Sequence, residues 1–308
     1  MILTVCLSPC IDVTVELDAL EIGKTNVAKG KRMKAAGKAM NVAKDVAALG
    51  GRAFMTGFMY RESRLTFESF LLDCGVQFDF LMNDGRVREN YKFIDNKSML
   101  TEVNSVSGEV SKESAERLLD KIAEHSKRCA VTVISGSQPK GVDGDYYGKL
   151  LSKVSPSSLK VADASGEKLL AALKIGVDLV KPNLDELETT LQQKFSTEEE
   201  MLEGCKQLVK MGSKLVLLSL GKRGAILTDG TNSYYCKSSQ VAVNSTVGAG
   251  DAMVAAAALA MERSAPMQEI LRAGVAAGTA AVTTFDENVF PAEKCAEIYK
   301  NLVVSEIE

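Results

Sequence analysis

The residues best suited to chemistry lie in a glycine-rich segment, S-T-V-G-A-G-D, at positions 245–251. An alanine-rich stretch with the composition of a helix follows it. Small residues at the start of a helix leave backbone N–H groups uncovered, and these groups, together with the helix dipole, favour anions. Asp251 in the first turn would stand beside a bound phosphate, where the base for an attacking hydroxyl is needed. The alternative is a helix start at which Asp251 only stabilises the dipole.

A second candidate segment, K-P-N-L-D-E at 181–186, directly follows a strand predicted at 178–180. Asn183 and Glu186 are three residues apart at a helix start, so their side chains lie on one face. They could reach a nucleotide phosphate and a metal-bound water. The alternative is N-capping alone, with Asn183 as the cap and Glu186 at the third helical position.

Two more glycine-containing segments could hold ligands. The first, S-L-G-K-R-G-A at 219–225, lies between two predicted strands, and glycines at the end of a parallel strand line the crevice where α/β sheets bind ligands. A tight turn between the strands is the alternative. The second, A-A-G-K-A-M-N at 35–41, opens a helix and could hold a phosphorylated ligand through Gly37, Lys38 and Asn41. It is not a Walker A loop, because Ala39 occupies the position of the required Ser or Thr.

The composition argues against several classes of protein. The chain has 308 residues, a net charge of −3 and no run of Lys and Arg typical of a nucleic-acid-binding arm. No apolar stretch approaches the roughly 18 residues of a membrane span, and the N-terminus does not have the pattern of a secretory signal. The seven cysteines form no C-x-x-C pair. Their odd number predicts buried free thiols in a reducing cytoplasm instead of disulfides or a zinc site.

Two classes of enzyme lack the residues they need. His125 is the only histidine and lies near the end of a charged amphipathic helix, where we expect it to be exposed. A Ser-His-Asp hydrolase therefore has no suitable base, and a metal site with paired histidines is excluded. No G-x-G-x-x-G segment occurs, which disfavours a nicotinamide-dependent oxidoreductase.

The elements that position these segments alternate between helix and strand. Helices are predicted at 38–49, 65–73, 112–126, 143–153, 166–174, 197–211, 250–263, 266–284 and 292–303, and strands at 2–7, 53–57, 76–82, 130–135, 159–163, 178–180, 214–219 and 225–228. Such alternation predicts an α/β domain with a mostly parallel sheet flanked by helices. Strands within 11–35 and a hairpin of strands 87–94 and 98–103 fall outside this pattern. We expect them to form a small β lid, from about 11–35 and 86–103, on a single domain spanning 1–308.

Taken in order, the four segments resemble the PfkB branch of the ribokinase-like carbohydrate kinases, and the resemblance covers essentially the whole chain. It implies a ribokinase-like fold, ATP and Mg²⁺ as cofactors, and transfer of a phosphoryl group to a ketohexose phosphate. The branch that phosphorylates fructose-1-phosphate to fructose-1,6-bisphosphate is the most similar. Kinases of tagatose-6-phosphate share almost the same layout, and fructose-6-phosphate is a further alternative. A non-catalytic sugar-phosphate sensor on the same fold stays open.

The resemblance also implies roles for individual residues. The substrate contacts are Asp12, Gly37, Lys38, Asn41, Arg88, Asn104 and Ser137, with Arg88 meeting the substrate's phosphate. The nucleotide contacts are Lys181, Asn183, Ser219, Gly221 and Gly224, while Glu186 positions Mg²⁺ indirectly through water. The anion hole is Gly248, Ala249 and Gly250, and the base is Asp251. The implied partners are only ATP and the sugar phosphate, with no nucleic acid or membrane, and the lid strands imply a possible homodimer.

Four places depart from the family's pattern. Ala39 stands where a glycine is usual, Tyr60 and Arg61 replace a common Gly-Gly pair, and Lys140 and Ala252 also differ. A methyl group at position 39 would block a close backbone approach if φ were positive there. These departures bear on the choice of sugar more than on phosphoryl transfer.

Overall fold

The computed structural model describes residues 1–97, 99–284 and 289–308. The strands in chain order are β1 (Ile2–Cys6), β2 (Cys10–Glu16), β3 (Gly30–Ala36), β4 (Ala53–Tyr60), β5 (Gln77–Asn83), β6 (Arg88–Ile94), β7 (Leu100–Asn104), β8 (Val131–Ser135), β9 (Leu159–Asp163), β10 (Val177–Val180), β11 (Ser213–Ser219), β12 (Ala225–Thr228), β13 (Ser233–Cys236) and β14 (Val304–Glu306). Ten of them form one sheet in the order β14-β13-β12-β11-β10-β9-β8-β1-β4-β5. Strands β2, β3, β6 and β7 form a second, small sheet.

The large sheet is parallel from β5 to β11 and antiparallel from β11 to β14. Strand β1 lies between β4 and β8, so that Val5 is in register with Thr56 on one side and Ile134 on the other. The chain first extends the sheet through β4 and β5, then returns to the other side of β1 and extends it through β8. Ligands of such sheets bind at the carboxyl ends of the strands, where the winding direction reverses. The predicted mostly parallel sheet is confirmed.

Helices cover both faces of this sheet. They are α1 (Lys38–Ala48), α2 (Arg64–Asp73), α3 (Lys112–His125), α4 (Tyr146–Lys153), α5 (Glu167–Ile175), α6 (Leu184–Leu191), α7 (Glu198–Met211), α8 (Ala249–Glu262), α9 (Met267–Ala281) and α10 (Ala292–Asn301). Side chains of a strand alternate between faces. Ile2 and Cys6 of β1 therefore join the core formed with α1, α8, α9 and α10, while Leu3 and Val5 join the core formed with α3, α4, α5 and α7. Helix α8 is buried at every residue from Asp251 to Met261, because its alanines allow close packing.

The small sheet, called the lid below, has the order β3-β2-β6-β7. Its strands come from the two separated segments that the sequence indicated. Strand β6 pairs antiparallel with β7, so that Asn90 faces Asn104, as the predicted hairpin required. Ser98, at which the second strand of that hairpin was predicted to start, lies outside the described residues.

The prediction that His125 is exposed is wrong. The residue is buried, with Nε2 at 2.9 Å from Asp79 Oδ2 and Nδ1 at 3.0 Å from Arg128 Nη2. Its ring lies 4.7 Å from that of Phe54. The helical pattern did indicate a charged helix, but Asp79 on the neighbouring edge strand supplies a polar partner that allows the imidazole to be buried.

Several smaller expectations were also tested. Helix α7 begins with a capping box between Thr197 and Glu200. All seven cysteines are free, and six of them are buried. Strands β13 and β14 were not predicted, since each has only three or four residues. Within the described ranges, no helix is long and apolar enough to cross a membrane.

Candidate active site

A cavity of about 400 Å³ lies between the lid and the carboxyl ends of the parallel strands. Strands β9, β10 and β11 deliver residues to it from their carboxyl ends, and the N-termini of α1, α6 and α8 point toward the same edge. The cavity brings together most of the predicted residues, namely Asp12, Gly37, Lys38, Asn41, Arg88, Lys181, Asn183, Glu186, Ser219, Gly248, Gly250 and Asp251. We call this cavity the main lobe.

Asp251 is the third residue of α8, which begins after Gly248 in the left-handed conformation, with φ of 82°. Its side chain is only 6% exposed and accepts a hydrogen bond of 2.7 Å from Asn41 Nδ2. Burial, reinforced by the nearby charge of Asp163, raises the pKa of Asp251 to about 7. A carboxylate with this pKa is well matched to accept a proton near neutral pH.

A buried cluster of charges lies beside this carboxylate. Asp163, at the end of β9, is fully buried, with Oδ2 at 3.0 Å from Lys38 Nζ and Oδ1 at 3.4 Å from Lys181 Nζ. Burial alone would raise the pKa of Asp163, but the two ammonium groups lower it below its ordinary value. Burial alone would lower the pKa of Lys38, yet Asp163 and the neighbouring carboxylates raise it. Asp163 and Lys38 therefore stay charged at neutral pH.

Sequence reasoning missed Asp163. A signal was available, since Asp163 is an acidic residue that closes an apolar segment predicted as a parallel strand. Such a residue stands at the edge of the sheet where ligands bind. Asp163 could therefore have been proposed as a site residue. Its contact with Lys181 could not, because that contact depends on the register of β9 and β10.

The lid contributes a second cluster of polar side chains. Asp12 Oδ2 lies 2.9 Å from Lys92 Nζ, and Asp12 Oδ1 accepts a hydrogen bond of 3.2 Å from Asn90 Nδ2. Arg88 Nη1 in turn donates to Asn90 Oδ1 at 3.2 Å and to the Ser105 carbonyl at 2.9 Å. Lys92 and Asn90 were not predicted. Asn90 and Lys92 lie two and four residues after Arg88, which places all three on one face of β6 and is the available signal.

The segment after β10 forms the capping box that was considered as an alternative. Asn183 Oδ1 accepts from the Glu186 amide at 2.8 Å, and Glu186 Oε2 accepts from the Asn183 amide at 2.9 Å. Both side chains nevertheless line the main lobe. No group of three acidic, histidine or cysteine side chains that could hold a metal occurs in the described part of the chain. The Glu186 carboxylate is of the kind that suits Mg²⁺, which proteins commonly hold through one or two carboxylates, water and substrate phosphates.

Five predicted residues do not line the main lobe, and they are Asn104, Ala249, Gly221, Gly224 and Ser137. Asn104 is exposed at the end of β7, and Ala249 lies within the first turn of α8. Gly221 and Gly224 belong to the short turn after β11. Gly224 has φ of 108°, and a Cβ there would lie 2.0 Å from the Cys236 carbonyl oxygen, so the backbone itself requires glycine.

Ser137 lies in a second cavity of about 310 Å³, which we call the second lobe. It shares Gly37, Lys38, Arg88, Asp163 and Glu186 with the main lobe. Ala39 also lines it, from the first turn of α1, and its φ is not positive. The methyl group of Ala39, where the family usually has glycine, therefore causes no backbone strain.

Comparison with known proteins found similar sequences and similar structures. A sequence model described as "pfkB family carbohydrate kinase" matches residues 3–294. Proteins named 1-phosphofructokinase from Borreliella burgdorferi and Escherichia coli are each 30% identical to this chain, covering 91% of it and 91% and 90% of the relatives, respectively. The crystal structure of phosphofructokinase-2 from Escherichia coli in complex with fructose-6-phosphate superposes with a TM-score of 0.88 at 27% identity, covering 97% of this chain and 98% of that one.

Proposed function

The chain belongs to the pfkB family of carbohydrate kinases, and we propose that it transfers the γ-phosphoryl group of ATP to a ketohexose phosphate. Fructose-1-phosphate is the acceptor we favour, which makes fructose-1,6-bisphosphate the product. The single observation that carries the proposal is Asp251, a buried carboxylate with a raised pKa at a glycine-flanked helix start, inside a cavity lined by lysines. A sensor of sugar phosphates would not need such a group.

In this proposal Asp251 accepts the proton of the attacking hydroxyl as the oxygen approaches phosphorus. The uncovered amides of Gly248, Ala249 and Gly250 face the charge that develops on the transferring group. Gly250 is tightly placed, because a Cβ there would lie 3.3 Å from Lys181 Nζ. Lys181 therefore adds a positive charge next to the same amides.

The nucleotide side of the site is the segment from Lys181 to Glu186 together with Ser219. The Ser219 amide donates to the Pro182 carbonyl at 3.0 Å, which fixes the two strand ends beside each other. Glu186 and Asn183 are the residues that would hold Mg²⁺, directly or through water, and the ion would offset negative charge on the phosphates of ATP. Asp12, held by Lys92 and Asn90, presents oxygens on the lid side, where hydroxyl groups of the sugar would lie.

The two relatives' names support fructose-1-phosphate as the acceptor, and the neighbour that binds fructose-6-phosphate keeps that isomer open. Both sugars carry a phosphate at one end and a primary alcohol at the other, and both give the same bisphosphate. The same base and anion hole could therefore serve either one. Tagatose-6-phosphate differs in the orientation of one hydroxyl, which would be sensed by groups such as Asp12.

The experiment that tests the proposal is a coupled ADP-release assay with ATP, Mg²⁺ and each of the three sugar phosphates. We expect the highest kcat/KM with fructose-1-phosphate. A preference for fructose-6-phosphate or tagatose-6-phosphate would change the assigned acceptor and leave the proposed mechanism unchanged. Absence of turnover with all three, combined with measurable binding of a sugar phosphate, would identify a sensor instead of an enzyme.

Activity should depend on pH through Asp251. Since its pKa is about 7 in the free protein and only the ionised carboxylate accepts a proton, we expect kcat/KM to fall with a slope of one below pH 7. The phosphate of the acceptor has its second ionisation near pH ~6, which should cause a further fall in kcat/KM below that pH. The measurement is kcat/KM for the acceptor at saturating ATP over about pH 5.5–9. A flat profile between pH ~6 and ~8 would exclude Asp251 as the titrating base.

We also propose that two copies pair through the lids. One face of the lid carries Asp12 and Asn90 toward the cavity, so alternation places apolar residues on the other face. A row runs across all four strands from Met33 through Val13 and Tyr91 to Val103. Met33 and Val103, at its ends, are 51% and 55% exposed. A second copy of this face would cover them.

The expected result is a dimer that the double substitution Met33→Glu, Val103→Glu converts to a monomer, because opposed carboxylates cannot enter an apolar contact. Sedimentation velocity at about 20 µM checks this. Leu65→Glu on α2, equally apolar and 78% exposed, is the control that should leave the dimer intact. A monomeric wild-type protein would disprove the lid pairing.

A further inference from the structure

The second lobe contains a basic side chain, Lys168, that has no part in the phosphoryl transfer described above. Lys168 is the second residue of α5, is half-buried, and lines this lobe together with Arg88 and Ser137. We propose that Lys168 binds the phosphate that the acceptor sugar already carries, and so makes the enzyme select phosphorylated over free ketohexoses. This inference rests on the proposed function and names the part of the substrate that the second lobe holds.

The position of the lobe fits one end of an elongated acceptor. The two lobes share Gly37, Lys38 and Arg88, so they form one continuous crevice. Asp251 lines only the main lobe, and Lys168 lines only the second lobe. An acceptor whose reacting hydroxyl meets Asp251 would therefore extend its other end toward Lys168.

The charges around the second lobe leave room for an anion. Lys38 is already paired with Asp163, and Glu186 is engaged at the start of its own helix. Arg88 donates to the uncharged oxygens of Asn90 and Ser105. Lys168 makes no ion pair with any residue in the described ranges. The positive charges of Arg88 and Lys168 thus face the lobe without a carboxylate partner. They outnumber the one unpaired negative charge, that of Glu186, and would attract a phosphate monoester with its charge of about −2.

Hydroxyl groups complete a site suited to phosphate oxygens. Ser8 Oγ lies 2.7 Å from Ser107 Oγ, which lies 3.4 Å from Ser137 Oγ. Ser135 also lines the lobe, is 2% exposed, and its hydroxyl has no hydrogen-bond partner among the described residues. The buried Nε of Arg88 likewise has no partner there. Buried donors without partners are costly, and phosphate oxygens would satisfy them.

The test is Lys168→Met, which keeps the length of the side chain and removes its charge. We expect KM for the phosphorylated acceptor to rise roughly ten- to hundredfold, while kcat changes by no more than about twofold. The reason is that the lost contact between Lys168 and the phosphate has the same strength in the bound substrate and in the transition state. KM for ATP, and kcat/KM for unphosphorylated fructose as a slow acceptor, should not change. Lys168→Arg should restore most of the affinity. Lys174→Met, exposed on the same helix, is the matched control.

Binding of inorganic phosphate, followed by ³¹P line broadening, separates this inference from the proposed function. Broadening with the wild type that is lost in Lys168→Met supports the site even if none of the three sugar phosphates is turned over. Equal broadening with both proteins overturns the inference. So does an unchanged KM for the phosphorylated acceptor in Lys168→Met, and in that case the kinase assignment still stands.

Discussion

Replacing Asp251 by asparagine should lower kcat by about 10²–10⁴-fold at pH 8, the range expected when a positioned base is removed. Asparagine keeps the shape of the side chain and can still accept the hydrogen bond from Asn41. KM for ATP should therefore change little. Asp120→Asn, exposed on α3, is the control and should be fully active. Turnover of Asp251→Asn within a few-fold of the wild type would remove Asp251 from the mechanism.

The same substitution should stabilise the folded protein at high pH. The pKa of Asp251 is about 7 in the folded state, against about 3.9 in the unfolded chain. A carboxyl with a raised folded pKa favours folding below the unfolded pKa, and this contribution is lost as the pH rises through the folded pKa. At pH 8 the ionised group therefore costs on the order of 1–4 kcal/mol, which asparagine avoids. We expect a higher Tm for Asp251→Asn at pH 8 and similar Tm values near pH 4, measured by calorimetry without ligands. An equal Tm at pH 8 would mean that the carboxylate is not buried as described.

Asp163→Asn should have the largest effect on stability. Its carboxylate is fully buried between Lys38 and Lys181, so neutralising it leaves two ammonium groups close together without a counter-charge. Breaking a buried ion pair from one side costs about 3–5 kcal/mol. Urea unfolding at pH 7.5 measures this cost. Asp143→Asn, which breaks an exposed ion pair with Lys149, should leave the unfolding curve unchanged.

Asp163→Asn should also move the pH profile of any residual activity. The charge of Asp163 is one of the causes that raise the pKa of Asp251, so its removal should shift the acid limb of kcat/KM below pH 7. The fall in kcat/KM that is caused by protonation of the acceptor's phosphate should occur at the same pH as in the wild type. An acid limb that does not move would show that burial alone sets the pKa of Asp251.

The parts of the fold set by local pattern were predictable. Helix α3 was expected at 112–126 and spans Lys112–His125, because its apolar residues recur at helical spacing. Strand β9 was expected at 159–163 and is Leu159–Asp163. Strand β14 could not be predicted, since three residues are too few to show a periodicity, and they form a strand because Val304 pairs with Cys236 of β13.

The candidate site shows the same division. Asp251 and Asn41 were singled out by their sequence neighbourhoods, but the hydrogen bond that joins them across 210 positions of the chain depends on the packing of α1 against α8. Lys92 shares one face of β6 with Arg88, but its importance comes from its 2.9 Å contact with Asp12 on another strand. Long-range contacts of this kind are set by topology, and one sequence does not reveal them.

The way the lid is joined to the main sheet has a consequence for anyone who builds chimaeras of this enzyme. The chain enters and leaves the lid through short connections at 7–9, Gly37, 84–87 and 105–111. Because β2 pairs with both β3 and β6, a crossover placed between residues 37 and 88 would combine strands from two parents in one small sheet. Recombined genes should therefore inherit 10–36 and 88–104 from the same parent. The longer stretch between them, which carries α1, β4, α2 and β5, can come from the parent that supplies the large sheet.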